Sequence, residues 1–497
     1  MLVKELLVRQ KSNSRIAIEH LNKSITYEEW FQLSSKLSKK IFQLVKKDSK
    51  NIAIFLPNSI EYAIAYFGIT FCNKVIVPIG AKSTLSEVKS TMKYCETDVI
   101  ITEKSRKEFF EKLEKKYEYK FWVIYIDDFC SEIYNCNLDY LDKTTSYVNC
   151  NNENDVALLL HTSGTMSNPK RVMLSHKNLI SNVESNISYL RLSCNERTLI
   201  SMPMHFGYCN TSQFLSHIYL GAYMCILKEP FMPKVFFETI QNKKITNYTG
   251  VPSTFFMLLN YKYEKLYDYS SLRFVCIGGS KISSKELMGI SNRYGTFDVI
   301  YTYGQSEAST RVTALMQKDI EKRKDSVGLP IPDVKIKIVN DEGYVLPPYQ
   351  FGEILIKGNN VMCGYYKNEL LTEQTIVDGW LHSGDIGYID EDGYLYVKGR
   401  IKNIIISGGI NIYPEEIEEV LIGHPNVKKV RVESELHLLF GEIAIAKLVL
   451  YDDKKTENFK TFCSKYLSDY KIPKRFEIVE DIQETYNGKI KRKEVQI

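Results

Sequence analysis

The chain has 497 residues, of which 44% are hydrophobic and 25% are charged, and its formal charge is +5. The composition is that of a globular protein, and the length exceeds what one hydrophobic core usually organises, so we expect two or more domains. The slight positive charge excludes a nucleic-acid-binding protein that depends on a strongly basic surface.

The cysteines and the apolar stretches predict the cellular location of the protein. The 11 cysteines are scattered, odd in number and without a C-x-x-C pair. This usage is typical of reduced thiols, so we expect a cytoplasmic protein with neither a disulfide framework nor a zinc site. The most apolar stretch begins at Tyr62 and is interrupted by Asn73, Lys74 and Pro78. It predicts a buried helix and a buried strand, and no membrane span.

Hydrophobic periodicity predicts an α/β protein. The first strong signal is an amphipathic helix that follows Thr26 and Glu29, which form a capping-box pattern. Short apolar runs separated by helical segments then predict largely parallel sheets with covering helices; they read NIAIFL, VIVPI, DVIIT, WVIYI, VALLL, RFVCIG and DVIYTYG. Beyond these runs, VKIKIVN, GEILIKG and GYLYVKG, with DEG and EDG turns, predict a smaller antiparallel barrel or sheet.

The stretch TSGTMSNPK, between VALLL and RVMLSH, suggests a phosphate-binding loop of an unusual kind. A P-loop wraps phosphate with successive backbone amides, but Pro169 has no amide hydrogen to donate. The loop instead offers the hydroxyls of Thr162, Ser163 and Thr165 around Gly164, followed by the cation Lys170. An ordinary polar turn between two strands is the alternative.

Five segments in order resemble the adenylate-forming superfamily of AMP-binding enzymes, which contains acyl-CoA synthetases, adenylation domains of peptide synthetases and luciferases. They are TSGTMSNPK, YTYGQSEAS, GWLHSGD, GRIKNIIISGGINIYPEEIE and NGKIKR, and they span essentially the whole chain. The resemblance implies a large N-terminal domain over 1–399, built from two parallel-rich α/β subdomains and a small β-barrel-like subdomain. A hinge at 400–403 and a small mobile α+β domain over 404–497 would follow.

The same resemblance implies binding of ATP and Mg²⁺. It places Tyr303 against the adenine, Ser306 near the phosphates and Glu307 on the metal ion, with Lys170 as a further catalytic group. Asp385 would accept hydrogen bonds from the ribose, assisted by Arg400. The other residues implied in the nucleotide site are Thr162, Ser163, Gly164, Thr165, Gly278, Gly279, Ser280, Thr302 and Gly304.

The C-terminal motifs imply the second half of the chemistry. Lys489 matches the lysine that screens the attack of a carboxylate on the α-phosphate. Lys402 matches the hinge position about which the C-terminal domain rotates. Gly408 and Gly409 would let a pantetheine arm pass close to the backbone. Departures from the family pattern are Ser167 and Arg171 in place of glycines, and Asn403 in place of an acid. Arg171 would then contact the leaving pyrophosphate or point to solvent.

By resemblance the acid lies against His205, Phe206, Gly250, Val251, Ser253 and Tyr301, with Met204 and Cys276 nearby. The segment MHFGYCNTS lacks the aspartate that pairs with an amino group, so we expect a fatty or aryl acid. His205 either hydrogen-bonds a substrate hydroxyl or lines the pocket as a neutral ring. Asn210 is a candidate reader of a ring hydroxyl. Arg311 pairs either with a second carboxylate of the substrate or, more commonly, with a protein carboxylate.

These motifs predict an ATP-dependent carboxylic acid–thiol ligase that forms an acyl-AMP, releases pyrophosphate and transfers the acyl group to coenzyme A. The alternative acceptor is the phosphopantetheine of an external acyl carrier protein, because only eight residues follow Lys489. A luciferase-like oxygenase and a non-catalytic homologue are further alternatives. Lys489 and Glu307 both argue against the non-catalytic one.

Overall fold

A computed structural model of the chain describes residues 1–44, 50–115, 121–135, 152–161, 170–407, 410–438, 440–452 and 458–483. In chain order its strands are β1 Ile16–His20, β2 Lys23–Thr26, β3 Asn51–Phe55, β4 Val75–Pro78, β5 Thr97–Thr102, β6 Trp122–Tyr125, β7 Val156–His161, β8 Arg171–Ser175, β9 Arg197–Ile200, β10 Tyr223–Ile226, β11 Asn247–Gly250, β12 Phe274–Ile277, β13 Asp298–Tyr303, β14 Thr313–Leu315, β15 Leu329–Pro330, β16 Val334–Val339, β17 Gly352–Gly358, β18 Gly364–Tyr365, β19 Ile376–Val377, β20 Trp380–Ile389, β21 Leu395–Arg400, β22 Ile405–Ser407, β23 Ile410–Ile412, β24 Val427–His437, β25 Gly441–Leu450 and β26 Arg475–Ile478.

The helices alternate with these strands over most of the chain. They are α1 Val3–Val8, α2 Tyr27–Leu44, α3 Ile60–Phe71, α4 Leu85–Tyr94, α5 Lys107–Lys115, α6 Ile126–Asn135, α7 His176–Leu190, α8 Gly207–Cys209, α9 Ser216–Leu220, α10 Pro233–Lys243, α11 Pro252–Leu259, α12 Ser284–Tyr294, α13 Glu369–Thr375, α14 Pro414–Ile422 and α15 Phe459–Cys463. The π-helical turn Asn210–Leu215 joins α8 to α9 in one helical stretch. The capping box before α2 forms as expected, because the Glu29 carboxylate accepts from both the amide and the hydroxyl of Thr26.

The described residues divide into two compact units. The first comprises Met1–Lys324, Pro330–Lys335 and Ile356–Leu381; the second comprises Asp325–Leu329, Ile336–Leu355 and the chain from His382 onward. The predicted domain limits, 1–399 and 404–497 with a hinge at 400–403, stay a prediction.

Two large sheets organise the first unit. A nine-stranded sheet has the order β15-β14-β13-β12-β11-β9-β10-β1-β2 and a seven-stranded sheet the order β18-β8-β7-β4-β3-β5-β6. The inner strands pair in parallel in both sheets. Most residues of these inner strands are buried, and β3, β10, β11 and β12 are buried at every position, which is typical of strands in the interior of a parallel sheet. β7 and β8 form the antiparallel pair predicted on either side of TSGTMSNPK.

Two five-stranded sheets contain the later strands. One has the order β16-β17-β20-β19 with β21 paired to β20, and the other the order β23-β22-β25-β24 with β26 paired to β25. The DEG and EDG turns hold Gly343 and Gly393 at φ of 83° and 86°, a conformation that favours glycine. The last sheet packs against α14 and α15 around a core of its own, which includes Ile417, Leu421 and Leu448.

The buried segment that begins near Tyr62 forms a helix and a strand, α3 and β4, as predicted. No helix among the described residues is long and apolar enough to cross a membrane. Each cysteine in that part of the chain is a free thiol.

Candidate active site

Four neighbouring parallel strands bring the predicted substrate and nucleotide residues to one edge of the nine-stranded sheet. The strands β13, β12, β11 and β9 lie side by side, and Gly250 pairs with Ile277, which pairs with Tyr301. The segments that leave their carboxyl ends carry His205 and Phe206, Val251, Gly278 to Ser280, and Tyr303 to Glu307. This edge is where ligands bind in open parallel sheets, because the loops there converge.

Side chains pack closely at the centre of this edge. Tyr208 and Thr302 share a hydrogen bond of 2.8 Å between their hydroxyls, and Thr302 Oγ1 also donates to the Ile277 carbonyl at 3.1 Å. A Cβ atom on Gly278 would lie 2.4 Å from Thr302 Oγ1 and 2.7 Å from the Tyr208 hydroxyl. Gly278 is therefore required by the approach of these hydroxyls. Sequence reasoning did not identify Tyr208, which lies at the start of the helical stretch with the π-turn.

The loop that follows β13 is tightly folded. A Cβ atom on Gly304 would lie 2.0 Å from the Thr310 carbonyl oxygen, so only glycine fits there. Ser309 and Thr310 have φ of 52° and 83°, and a β-branched residue rarely adopts a positive φ. Thr310 is held there in part by a hydrogen bond of 2.7 Å between its hydroxyl and that of Thr211. Such strain is common where a loop presents functional groups.

Glu307 and Lys170 meet at Tyr365, which sequence reasoning did not identify. Glu307 lies in the turn Ser306–Ala308 after β13, and its Oε1 accepts a 2.9 Å hydrogen bond from the Tyr365 hydroxyl. Its carbonyl accepts from the Met362 amide at 2.8 Å. Lys170 precedes β8, and its Nζ lies 5.8 Å from the centre of the Tyr365 ring, within cation–π range. Pairing of β18 with β8 places Tyr365 between the two charged residues.

Asn58 fixes the segment that carries His205. Its side chain donates to the Met202 carbonyl at 2.8 Å and accepts from the Met204 amide at 2.7 Å. The His205 ring lies 4.3 Å from the Phe206 ring, centre to centre. Burial and, to a smaller extent, the neighbouring His161 lower the pKa of His205 to about 4. A neutral ring supports the interpretation of His205 as a pocket wall, although a neutral imidazole also forms hydrogen bonds.

The structure corrects two interpretations of polar residues near this site. Arg171 neither points to solvent nor extends toward a leaving group: it is 2% exposed, and its Nη2 donates to Thr91 Oγ1 at 2.6 Å. Asn210 is also buried, and its Oδ1 accepts from the Tyr66 hydroxyl at 3.5 Å. Its amide therefore faces the packing of α3, which does not favour a role in reading a ring hydroxyl.

In the second unit, Asp385 and Arg400 are cross-strand neighbours of β20 and β21. Arg400 Nε lies 2.6 Å from Asp385 Oδ1, and Asp385 is 3% exposed. The segment before Asp385 is held by Glu353, whose carboxylate lies 2.7 Å from His382 Nδ1 and accepts from the Gly384 amide at 3.1 Å. The carboxylate of Asp385 is thus oriented by a cation on one strand and by a fixed turn on its own.

The predicted hinge contains a short 3₁₀ turn, Ile401–Asn403, in which Lys402 is exposed. Asn403 Nδ2 donates to Glu415 Oε1 at 2.8 Å, and a Cβ atom on Gly399 would lie 2.5 Å from Glu415 Oε2. The residue that replaces the usual acid therefore binds an acid of α14. An aspartate here would repel Glu415, so Asn403 and Glu415 are complementary.

Several predicted residues lie outside the described part of the chain: Thr162, Ser163, Gly164, Thr165, Gly408, Gly409 and Lys489. Their roles stay predictions. Of the others, Ser253 and Gly279 are exposed at the strand ends, and Gly279 has a φ of 86°. Tyr208, Asn58 and Tyr365 were missed because their contacts join segments far apart in the sequence.

Two family models match the chain. The model of AMP-binding enzymes matches residues 7–366, and that of the AMP-binding enzyme C-terminal domain matches residues 416–489. The resemblance inferred from the five motifs is therefore confirmed.

Characterised proteins match over nearly the full length. A long-chain-fatty-acid–CoA ligase of Bacillus subtilis is 29% identical, over 96% of this chain and 91% of the relative. A 2-succinylbenzoate–CoA ligase of Bacillus cytotoxicus is 29% identical, over 97% and 95%. Among solved structures, the O-succinylbenzoate coenzyme A synthetase of Bacillus subtilis with ATP and a magnesium ion has a TM-score of 0.85 at 26% identity, over 98% of this chain and 97% of that one. The predicted fold class is confirmed by this similarity.

Proposed function

Because the chain belongs to the family of AMP-binding enzymes, we propose that it is an ATP-dependent carboxylic acid–thiol ligase with coenzyme A as its acceptor. A carboxylate oxygen of the acid attacks the α-phosphorus of ATP, and pyrophosphate leaves. The sulfur of the thiol then attacks the carbonyl carbon of the acyl-AMP, its proton is released, and AMP leaves. The observation that carries this proposal is the convergence of Lys170 and Glu307 on Tyr365, beside the strand ends that carry the predicted acid-binding residues.

The nucleotide roles follow from the side chains. Tyr303 stacks on the adenine, Gly278, Gly279 and Ser280 line its edge, and Thr302, Gly304 and Ser306 complete the approach to the phosphates. Asp385, held by Arg400, accepts hydrogen bonds from the ribose hydroxyls. We assign Thr162, Ser163, Gly164 and Thr165, which lie outside the described residues, to the phosphate-binding loop, where the hydroxyls of the threonines and the serine would contact the phosphates.

Charged residues of the protein would reduce the electrostatic repulsion that opposes the reaction. An anion must approach a polyanion, so unscreened repulsion opposes the attack. Lys170 and Lys489 neutralise part of the charge that the reacting groups bring together. Glu307 provides carboxylate oxygens of the kind that Mg²⁺ binds, and one of them is already oriented by the Tyr365 hydroxyl. A magnesium ion bound there would supply further screening of the phosphate oxygens.

The acid occupies the space beside His205, Phe206, Gly250, Val251, Ser253 and Tyr301. A histidine held neutral by burial and a neighbouring phenyl ring make an uncharged wall, which suits a fatty or aryl acid. Rotation about Lys402 would then bring Gly408 and Gly409 toward the acyl-AMP, where the pantetheine arm enters. Coenzyme A is favoured because the similar enzymes named above are coenzyme A ligases. We place the reaction in the cytoplasm.

Pyrophosphate release with panels of fatty, aryl and small acids tests the proposal. Each acid is assayed with no thiol, with coenzyme A and with a phosphopantetheinylated carrier protein, and the products are weighed by mass spectrometry. We expect a mass that corresponds to an acyl-AMP without thiol and a coenzyme A thioester with it. If only the carrier protein were acylated, the acceptor would be the carrier protein instead of coenzyme A. Oxygen consumption without a thioester would indicate an oxygenase, and no acid-dependent pyrophosphate release would refute the ligase.

A further inference from the structure

Arg311 is a fully buried cation, and no carboxylate of the described residues pairs with it. Its side chain is 1% exposed, and Nη1 donates to Asn186 Oδ1 of α7. The carbonyl of Arg311 accepts from Asn182 at 2.8 Å, so α7 also fixes its backbone. No ion pair joins Arg311 to an acid in the described ranges, so the structure gives no support to the salt-bridge interpretation of this residue.

The buried guanidinium has hydrogen-bonding capacity that the described protein does not use. Its Nε and Nη2 form no hydrogen bond of normal geometry with the described residues, and neither does the hydroxyl of Tyr189. The groups that lie close enough to interact with the guanidinium, which are Tyr189, Tyr208 and the Cys276 thiol, are neutral. The Arg311 Cζ atom lies 5.7 Å from the ring centres of both Tyr189 and Tyr208, near the outer limit of cation–π attraction. Ring contacts at that distance offset little of the cost of desolvating a charge, so an anion bound beside the guanidinium would stabilise the cluster.

This cluster adjoins the predicted acid-binding residues. Tyr208 presents its ring to Arg311 and its hydroxyl to Thr302 at the strand ends. The buried thiol of Cys276, on β12 just before Gly278, also lies next to Arg311, whose charge opposes the effect of burial on the thiol pKa. Tyr208 and Cys276 therefore connect Arg311 to the strand ends that carry the predicted acid-binding residues.

We infer that Arg311, together with the Tyr189 hydroxyl, binds a second anionic group on the acid, distal to the carboxylate that is activated. The substrate is then a compact aliphatic or aryl dicarboxylic acid. A long alkyl chain would leave the guanidinium desolvated and unpaired, and the Tyr208 hydroxyl fills the space next to Gly278. This inference rests on the proposed function, because the distal end is defined by the carboxylate that reacts.

Matched pairs of acids separate this role from a purely structural one. The pairs are succinate and butyrate, adipate and hexanoate, and terephthalate and benzoate, each assayed for kcat/KM in pyrophosphate release. The wild-type protein should prefer the dicarboxylic member of at least one pair. Arg311→Met should lower the ratio of diacid to monoacid on the order of a hundredfold or more, because the charge is removed from a desolvated site. Arg311→Lys should retain part of the preference.

Two further variants control for folding. Tyr189→Phe removes one hydroxyl and leaves the charge, so it should lower the ratio by a smaller factor. Arg171→Met removes a second buried guanidinium, which binds Thr91, and should lower stability without changing the ratio. A wild-type protein that prefers the monoacid of every pair would overturn the inference and leave the ligase standing. Equal ratios in the wild type and Arg311→Met would also overturn it.

Calorimetric titration of the same acids into the intact protein, with a non-hydrolysable ATP analogue, tests the inference without turnover. Diacids should bind the wild type and lose affinity in Arg311→Met, whereas monoacids should bind both equally. If no acid released pyrophosphate, the proposed function would fail, and this titration would still decide the role of Arg311. Failure of diacids to bind better than monoacids would refute it.

Discussion

Tyr365→Phe is the substitution that most directly tests the arrangement of Glu307. It removes the 2.9 Å hydrogen bond to Glu307 Oε1 and keeps the ring over which Lys170 lies. A hydrogen bond to a charged group contributes about 1.5 to 3 kcal/mol, and 1.4 kcal/mol corresponds to roughly a tenfold change. Glu307 is only partly buried, so water replaces part of the lost interaction. We therefore expect an effect near the lower limit, about tenfold.

The effect should appear in the magnesium dependence. If Tyr365 orients the carboxylate that binds the metal ion, the Mg²⁺ concentration for half-maximal pyrophosphate release should rise by about tenfold in the variant. The rate at saturating Mg²⁺ should fall less. The assay is pyrophosphate release at saturating ATP and acid over a series of Mg²⁺ concentrations, with thermal unfolding measured in parallel.

Tyr366→Phe is a matched control one residue away. Its hydroxyl accepts from Asn51 at 3.1 Å and donates to Glu96 at 3.2 Å, so the same chemical change affects a different pair of partners. The control should leave the magnesium curve unchanged. If Tyr365→Phe behaved as Tyr366→Phe does, Tyr365 would not position Glu307. The convergence of Lys170 and Glu307 on Tyr365 would then no longer support the proposed function.

Three other changes have expected outcomes. Lys489→Ala should lower acyl-AMP formation on the order of a hundredfold to a thousandfold with little change in ATP affinity by equilibrium binding; an unchanged overall rate would contradict its assignment. Asp385→Asn should weaken ATP binding more than it lowers the saturated rate, because the paired carboxylate is lost; unaltered ATP affinity would contradict a ribose contact. Burial lowers the pKa of His217 from 6.5 to about 4, so folding stability should be complete above pH 6.5 and fall as the pH drops toward 4, by about 3 kcal/mol for this group. His217→Gln should reduce the pH slope of urea-unfolding stability across that range, because the buried His161, His176 and His205 keep their own contributions, whereas an unaltered slope would argue against this cause.

The strand framework was predictable from the sequence because its signal is local. Runs such as RFVCIG and DVIYTYG became β12 and β13, and parallel pairing places their ends at one edge regardless of the loop sequences. The sequence shows a glycine at position 304, but it does not show why glycine is needed there. It is required by the carbonyl of Thr310, which returns to it through a loop with positive φ angles.

The contacts that orient the site residues were not predictable, because they join distant segments. Tyr365 reaches Glu307 only after β18 pairs with β8, and that two-residue strand has no periodicity to detect. Asn58 is a loop residue whose two hydrogen bonds to the His205 segment depend on how two sheets pack. For Arg311, sequence frequencies favoured a salt bridge, but the described side chains around the guanidinium include no acid that pairs with it.

The charges of a dicarboxylic acid connect the proposed role of Arg311 to the formation of the acyl-AMP. A dicarboxylic acid brings two negative charges: the reaction uses one, and the other would repel the triphosphate if it stayed unpaired. In the proposed site the Arg311 guanidinium pairs with that second charge, which leaves the other carboxylate to react with the nucleotide. A monocarboxylic acid gains nothing from Arg311 and leaves its Nε and Nη2 buried without an acceptor. Discrimination should therefore favour the diacid in the wild type and be lost or reversed in Arg311→Met, because a second carboxylate beside the neutral side chain stays unpaired.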